Sequence, residues 1–145
     1  YEKNFFLKKY YLPNIPIKIC ELLKKFANSS VDISDGIIED LQNMINKQKY
    51  KYKVNIDLIP VSKEFRSIMK KNNLTIQKNL FHGDDYQVIF TASKKDRKKI
   101  KKYAEKLNQK ITIIGQIIKN NSGNILLKDG RPLKMTNFKG YRHTF

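Results

Sequence analysis

Hydrophobic residues recur along this chain at two spacings, one helical and one extended. Ile19, Leu22, Leu23 and Phe26 stand three or four residues apart, which predicts a helix over 17–27, followed by a short extended piece at 31–33. Ile37, Ile38, Leu41, Met44 and Ile45 then share one face of a second helix, 35–45. Over 50–58 the period changes to two. Tyr52, Val54, Ile56 and Leu58 alternate with Lys51, Lys53, Asn55 and Asp57, the pattern of a strand with one wet face. Ser62 is placed to cap a helix running to about Lys71. Ile100, Tyr103, Ala104 and Leu107 mark a further amphipathic helix that includes the lysine-rich run 94–106, with Ser93 and Asp96 as a weak capping box at its start. Segments 87–91, 111–118 and 125–127 read as strands, the last two joined by an Asn-Asn-Ser-Gly turn. Residues 1–16 contain Pro13 and Pro16 and read as irregular chain, a linker or arm leaving a preceding domain, with 17–145 as the domain itself. Helices and strands mix without strict βαβ order or internal repeat. The predicted class is α+β, a mixed sheet layered with helices.

Composition agrees with one folded domain: of 145 residues, 40% are hydrophobic and 11% aromatic, enough to bury a core. No apolar run approaches the ~20 residues of a membrane span, and no signal-peptide pattern opens the chain, so a soluble, cytoplasmic protein is expected. Cys20 is the single cysteine, which excludes an intrachain disulfide, and its neighbours Ile19, Leu23 and Phe26 predict a small core residue. The net charge of +17 would suit a phosphate backbone. The basic residues are nearly all lysine, however, with arginine only at Arg66, Arg97, Arg131 and Arg142. The lysines of 94–106 fall on the solvated side of an amphipathic helix, so nucleic acid is not the expected partner.

Three segments carry candidate chemistry. In the first, Ser29 to Leu41, Asp32 and Asp35 stand three residues apart around a turn and together suit a hard divalent cation such as Mg²⁺. Ser34, at the start of the following helix, offers a hydroxyl and nearby backbone N–H groups to a phosphate oxygen. The bland alternative is that Ser34 or Asp35 only caps the helix. Glu39 and Asp40 read as surface charges. The second segment, Phe81 to Thr91, has Asp84 and Asp85 at a strand entrance, suited to a metal or a cationic substrate, or simply to a turn. His82 is assigned no role. The third, Gly140 to Phe145, includes Tyr141, whose ring either stacks on a flat heterocycle or packs the terminus onto the domain.

Taken in order, these segments resemble the thiamine-monophosphate kinases. That family has an Asp-x-Ser-Asp-Gly-Leu segment, then Gly-Gly-Glu-Asp-Tyr-Glu before a Phe-Thr strand, then Ile-x-x-Ile-Gly, and a final Gly-aromatic-x-His-Phe. The counterparts are Asp32 to Ile37, His82 to Gln87 with Phe90-Thr91, Ile111 to Gly115, and Gly140 to Phe145. Related synthetases of the same superfamily, which make aminoimidazole ribonucleotide or selenophosphate, have glycine-rich variants in place of Ser-Asp-Gly. The resemblance implies the carboxy-terminal domain of an aminoimidazole ribonucleotide synthetase-like protein. It implies transfer of the γ-phosphoryl group of ATP onto thiamine monophosphate to give thiamine diphosphate. Carried over, Asp32 and Asp35 bind Mg²⁺, Ser34 contacts ATP, and Asp84 and Tyr141 bind substrate, with no catalytic residue beyond the metal ligands. It also implies an amino-terminal ATP-binding domain outside these residues, a homodimer at full length, and an inactive fragment without that domain. His82 stands where the family has glycine, Asp84 where it has the longer glutamate, and Gln87 where it has a second glutamate, while Thr144 separates His143 from Phe145. Two other classes remain beside this one: a basic nucleic-acid-binding module, and a scaffold of the same fold that binds no substrate.

Overall fold

The computed structural model describes residues 2–45, 49–80, 83, 86–119 and 123–133. The chain runs through α1 (Glu2–Tyr11), α2 (Ile19–Phe26), β1 (Ala27–Asp32), α3 (Ile37–Ile45) and β2 (Lys51–Asn55). It continues with α4 (Lys63–Lys71), α5 (Ile76–Asn79), β3 (Val88–Ala92), α6 (Arg97–Lys106), β4 (Gly115–Ile118), β5 (Ile125–Lys128) and β6 (Arg131–Pro132). Single 3-10 turns occupy Ile56–Leu58 and Lys94–Asp96. Strand β1 lies antiparallel to β3, with Val31 opposite Ile89 and Asp32 opposite Val88. The second sheet is mixed, in the order β4-β2-β5-β6, with β2 antiparallel to β4 and parallel to β5. This is the predicted α+β class, with its strands divided between two sheets. No helix among the described residues is long and apolar enough to cross a membrane.

Two apolar clusters hold the layers together. In the first, Ile38, Leu41 and Ile45 of α3 meet Tyr52 and Val54 of β2, Ile56, Leu80, and Leu126 of β5. In the second, Leu22 of α2 meets Ile100 and Ala104 of α6. Strand β3 serves both, because its side chains alternate: Ile89 packs on the first cluster, Phe90 and Ala92 on the second. The loop after α6 joins them too, with Ile111 on the second cluster and Ile114 on the first. Each large aliphatic side chain buried in this way contributes about 1.5–3 kcal/mol of transfer free energy.

Several expectations are corrected. Residues 2–11 are helical instead of irregular, because both prolines lie beyond Tyr11 and end the helix without entering it. Helix α1 is tied to α4 by Glu2, whose carboxylate accepts from Ser67 Oγ at 2.6 Å and from Lys71 Nζ at 3.0 Å. The Ser67 hydrogen bond, then Lys71, holds the Glu2 carboxyl below its usual pKa. Cys20 is exposed, since the buried stripe of α2 passes through Ile19 and Leu22 and Cys20 is rotated off it. Leu58 is exposed because the extended chain ends at Asn55 and a 3-10 turn breaks the alternation. Strand β4 begins only at Gly115. Ser62 caps α4 as predicted, its Oγ accepting from Phe65 N at 3.0 Å, whereas Ser93 makes no side-chain cap and a 3-10 turn precedes α6.

Candidate functional site

Strand β1 ends at Asp32 and α3 begins at Ile37, so residues 33–36 form the turn that bears the first chemical segment. Ile33 is buried, and its N–H donates to Gln87 O at 2.9 Å, extending the β1–β3 pairing by one residue. Asp32 alternates onto the face opposite Val31 and is exposed; Ser34 is exposed and Asp35 half-buried. Gly36 is buried with φ of +123°, a conformation that side chains strongly disfavour, and it lets the chain turn sharply into α3.

Asp40 overturns its expected surface position. It is 3% exposed, and its Oδ2 accepts the N–H groups of Ser34 at 3.0 Å, Asp35 at 3.1 Å and Gly36 at 3.1 Å. The cause is helical geometry: a side chain one turn into a helix leans back toward the N-terminus, where backbone N–H groups lack intrahelical partners. A carboxylate there is also favoured by the helix dipole. A second correction follows, because these N–H groups, predicted as phosphate donors, are already satisfied by Asp40. At this turn a phosphate has the Ser34 hydroxyl to meet. Glu39 is half-buried.

The second segment packs against the first. Leu80 O accepts from Ile38 N at 3.4 Å, and Gln87 O accepts from Ile33 N at 2.9 Å, so Leu80 and Gln87 are each fastened to the turn or its flanks. Between them, a Cβ on Gly83 would overlap the Ser34 carbonyl and stand 2.8 Å from Asp35 N; only glycine permits this approach. His82, Asp84 and Asp85 lie outside the described residues, as does Tyr141 with the rest of 134–145.

The donor set at the turn, two carboxylates and a hydroxyl, consists entirely of oxygen and suits a hard cation that keeps several waters. Among the described residues no three His, Cys, Asp or Glu side chains converge, so any cation here draws its remaining ligands from elsewhere. A separate open groove of about 400 Å³ lies between α2 and α6, lined by Phe26, Tyr103 and the lysines 25, 99, 102 and 106, with Asp96. Lys25 Nζ stands 4.9 Å from the Tyr103 ring centre. None of the predicted site residues lines it.

Comparison with known proteins gives this geometry a context. A thiamine-monophosphate kinase from Buchnera aphidicola (subsp. Acyrthosiphon pisum) is 32% identical over 142 residues, covering 97% of this chain and 43% of the relative. The chain therefore spans less than half the length of that relative. Among solved structures, AaThiL complexed with AMPPCP and TMP superposes with a TM-score of 0.76 at 25% identity, over 99% of this chain and 42% of that one. The thiamine-monophosphate kinase of Stenotrophomonas maltophilia K279a superposes with a TM-score of 0.64 at 31% identity, over 77% of this chain and 34% of that one. Residues 10–128 match the family described as AIR synthase related protein, C-terminal domain, and the chain belongs to that family.

Proposed function

We propose that this chain is the carboxy-terminal metal- and substrate-binding part of an ATP-dependent kinase that converts thiamine monophosphate to thiamine diphosphate. The observation that carries the reading is the turn at 33–36, which follows Asp32 and bears Ser34 and Asp35, and whose backbone Asp40 and Gly83 hold. Support also comes from the kinases to which the chain is similar along nearly its whole length.

In this reading Asp32 and Asp35 hold Mg²⁺, and Ser34 contacts a phosphate oxygen of ATP. Bound Mg²⁺ offsets the charge of two phosphates brought together. The γ-phosphorus forms a bond to a phosphate oxygen of thiamine monophosphate as its bond to the β–γ bridging oxygen breaks, and ADP leaves with that electron pair. No protein side chain is phosphorylated, so the residues of this domain act by position and charge. Asp84 and Tyr141 supply a carboxylate and an aromatic face toward the cationic thiazolium and its neighbouring ring. An amino-terminal domain completes the nucleotide cleft, and the full-length protein works as a cytoplasmic homodimer.

The test is ATP-dependent formation of thiamine diphosphate by the complete polypeptide that includes this domain. Asp35→Asn and Asp32→Asn are each expected to lower turnover by ~100-fold or more, the scale of lost charge stabilisation at a phosphoryl-transfer site, with the thermal melt unchanged. Unaltered turnover at saturating magnesium in both variants would remove the pair from the mechanism. The 145 residues alone are expected to form no product.

A further inference from the structure

We infer that Asp40 is a positioning residue for this site: its carboxylate fixes the backbone from Ser34 to Gly36 and thereby sets where the Ser34 hydroxyl and the Asp35 carboxylate stand. The inference rests on the binding roles proposed above for those two residues. A single oxygen, Oδ2, receives three successive backbone N–H groups at 3.0–3.1 Å. Successive amides converging in this way make a concave nest of the kind that binds free anions. Here the anion is tethered within α3 and buried, and its own N–H donates to Gly36 O at 2.9 Å, so the nest and the helix brace each other.

The opposite side of the same peptide is also held. In a trans peptide the N–H and C=O point in opposite directions. The Asp35 N–H points to Asp40, and the carbonyl of Ser34 points to the backbone of Gly83. The peptide joining Ser34 to Asp35 is therefore clamped between a buried charge and the backbone of Gly83. A filled nest also has a chemical consequence. Phosphate is excluded from the amides, so it meets the turn through the Ser34 hydroxyl, and its charge is left to cations on the outer face.

The experiment uses the complete polypeptide with Asp40→Ala and Asp40→Asn. Hydrogen–deuterium exchange of amides 34–36 is measured without ligand, beside the magnesium concentration that gives half-maximal turnover. Asp40→Ala is expected to speed exchange at these amides by at least about tenfold, the scale of hydrogen bonds to a charged acceptor, while the β1–β3 amides stay protected. The magnesium requirement should rise by a similar factor. Asp40→Asn keeps one acceptor oxygen but loses the charge, so both should rise, by a smaller factor than in Asp40→Ala. Wild-type exchange at 34–36 in Asp40→Ala overturns the inference, as does faster exchange with an unchanged magnesium requirement. Should Asp40→Ala fail to fold, Asp40→Asn decides: exchange raised at these amides alone supports the clamp, and wild-type exchange overturns it. The exchange measurement is independent of what Ser34 and Asp35 bind. An inert Asp35→Asn would therefore remove the metal reading without touching the exchange result for Asp40.

Discussion

Among the described residues Tyr52 is the largest fully buried side chain, and its backbone N–H donates to Asn124 Oδ1 at 3.2 Å. Burial pushes its phenol above the ordinary pKa of 10.0, an effect only partly offset by a hydrogen bond with Asn124. The folded state thus favours the neutral ring, while the unfolded chain ionises at its ordinary value. Stability from this residue is complete below pH 10.0 and is lost as pH rises from there through the raised folded value. Tyr52→Phe keeps the ring and removes the proton, so its melting temperature should fall less steeply with pH above 10.0 than that of the natural protein. Equal slopes would show that Tyr52 does not govern the alkaline limb. Gly83 makes a different demand, because any side chain there meets backbone and not a movable neighbour. If the proposed function holds, Gly83→Ala is expected to push Gly83 away from Ser34 and to weaken thiamine monophosphate binding in the complete polypeptide. An unchanged Michaelis constant would show that substrate binding tolerates the shift.

At the scale of elements, α4 offers the cleanest test of local rules. None of its residues is fully buried, so its start depends heavily on Ser62. Ser62→Ala should cost ~1 kcal/mol and Ser62→Asp should restore it, both read from denaturant midpoints; an unaffected Ala variant would mean that tertiary contacts alone hold α4. Ser62 was legible because its cap signal is local. So were the faces of α2, α3 and β2, where spacing decides which residues turn inward. Leu58, Cys20 and α1 depart from expectation for a common reason: hydrophobic neighbours or nearby prolines predict an average environment, whereas position relative to a buried stripe or a helix end decides the actual one. Asp40 is the instructive case within the site. In the sequence Asp32, Ser34 and Asp35 form a motif, whereas Asp40 reads as one more charge on an exposed helix. Its acceptor role depends on a turn bending back over the start of α3, and periodicity does not reveal such a bend. Its place in the first turn of a helix, four residues after a glycine, was the available signal. The contact between the first and second segments at Gly83 is tertiary, so neither motif announced it.

At the scale of the molecule, β2 sits at the middle of a sheet assembled from distant parts of the chain. Residues 51–55 pair with 115–118 on one side and with 125–128 on the other. A ribosome must therefore add some sixty residues after β2 before either edge of that strand finds its neighbour. Until then Tyr52, Val54 and Ile56 have no sheet to cover them, and α3 has only part of the surface it will rest on. Loops this long are closed late and slowly, so folding should be limited by closure of this sheet, while the local helices form early. A nascent chain halted after residue 110 should be caught with its first apolar cluster open and should bind a chaperone that recognises exposed hydrophobic strands. Release of the full-length product should abolish that capture. Capture that persists after release, or that never occurs at residue 110, would show that the order of synthesis does not control this step. The placement of a single strand thus makes the newborn polypeptide vulnerable over a defined stretch of its translation, a cost carried by every copy the cell makes.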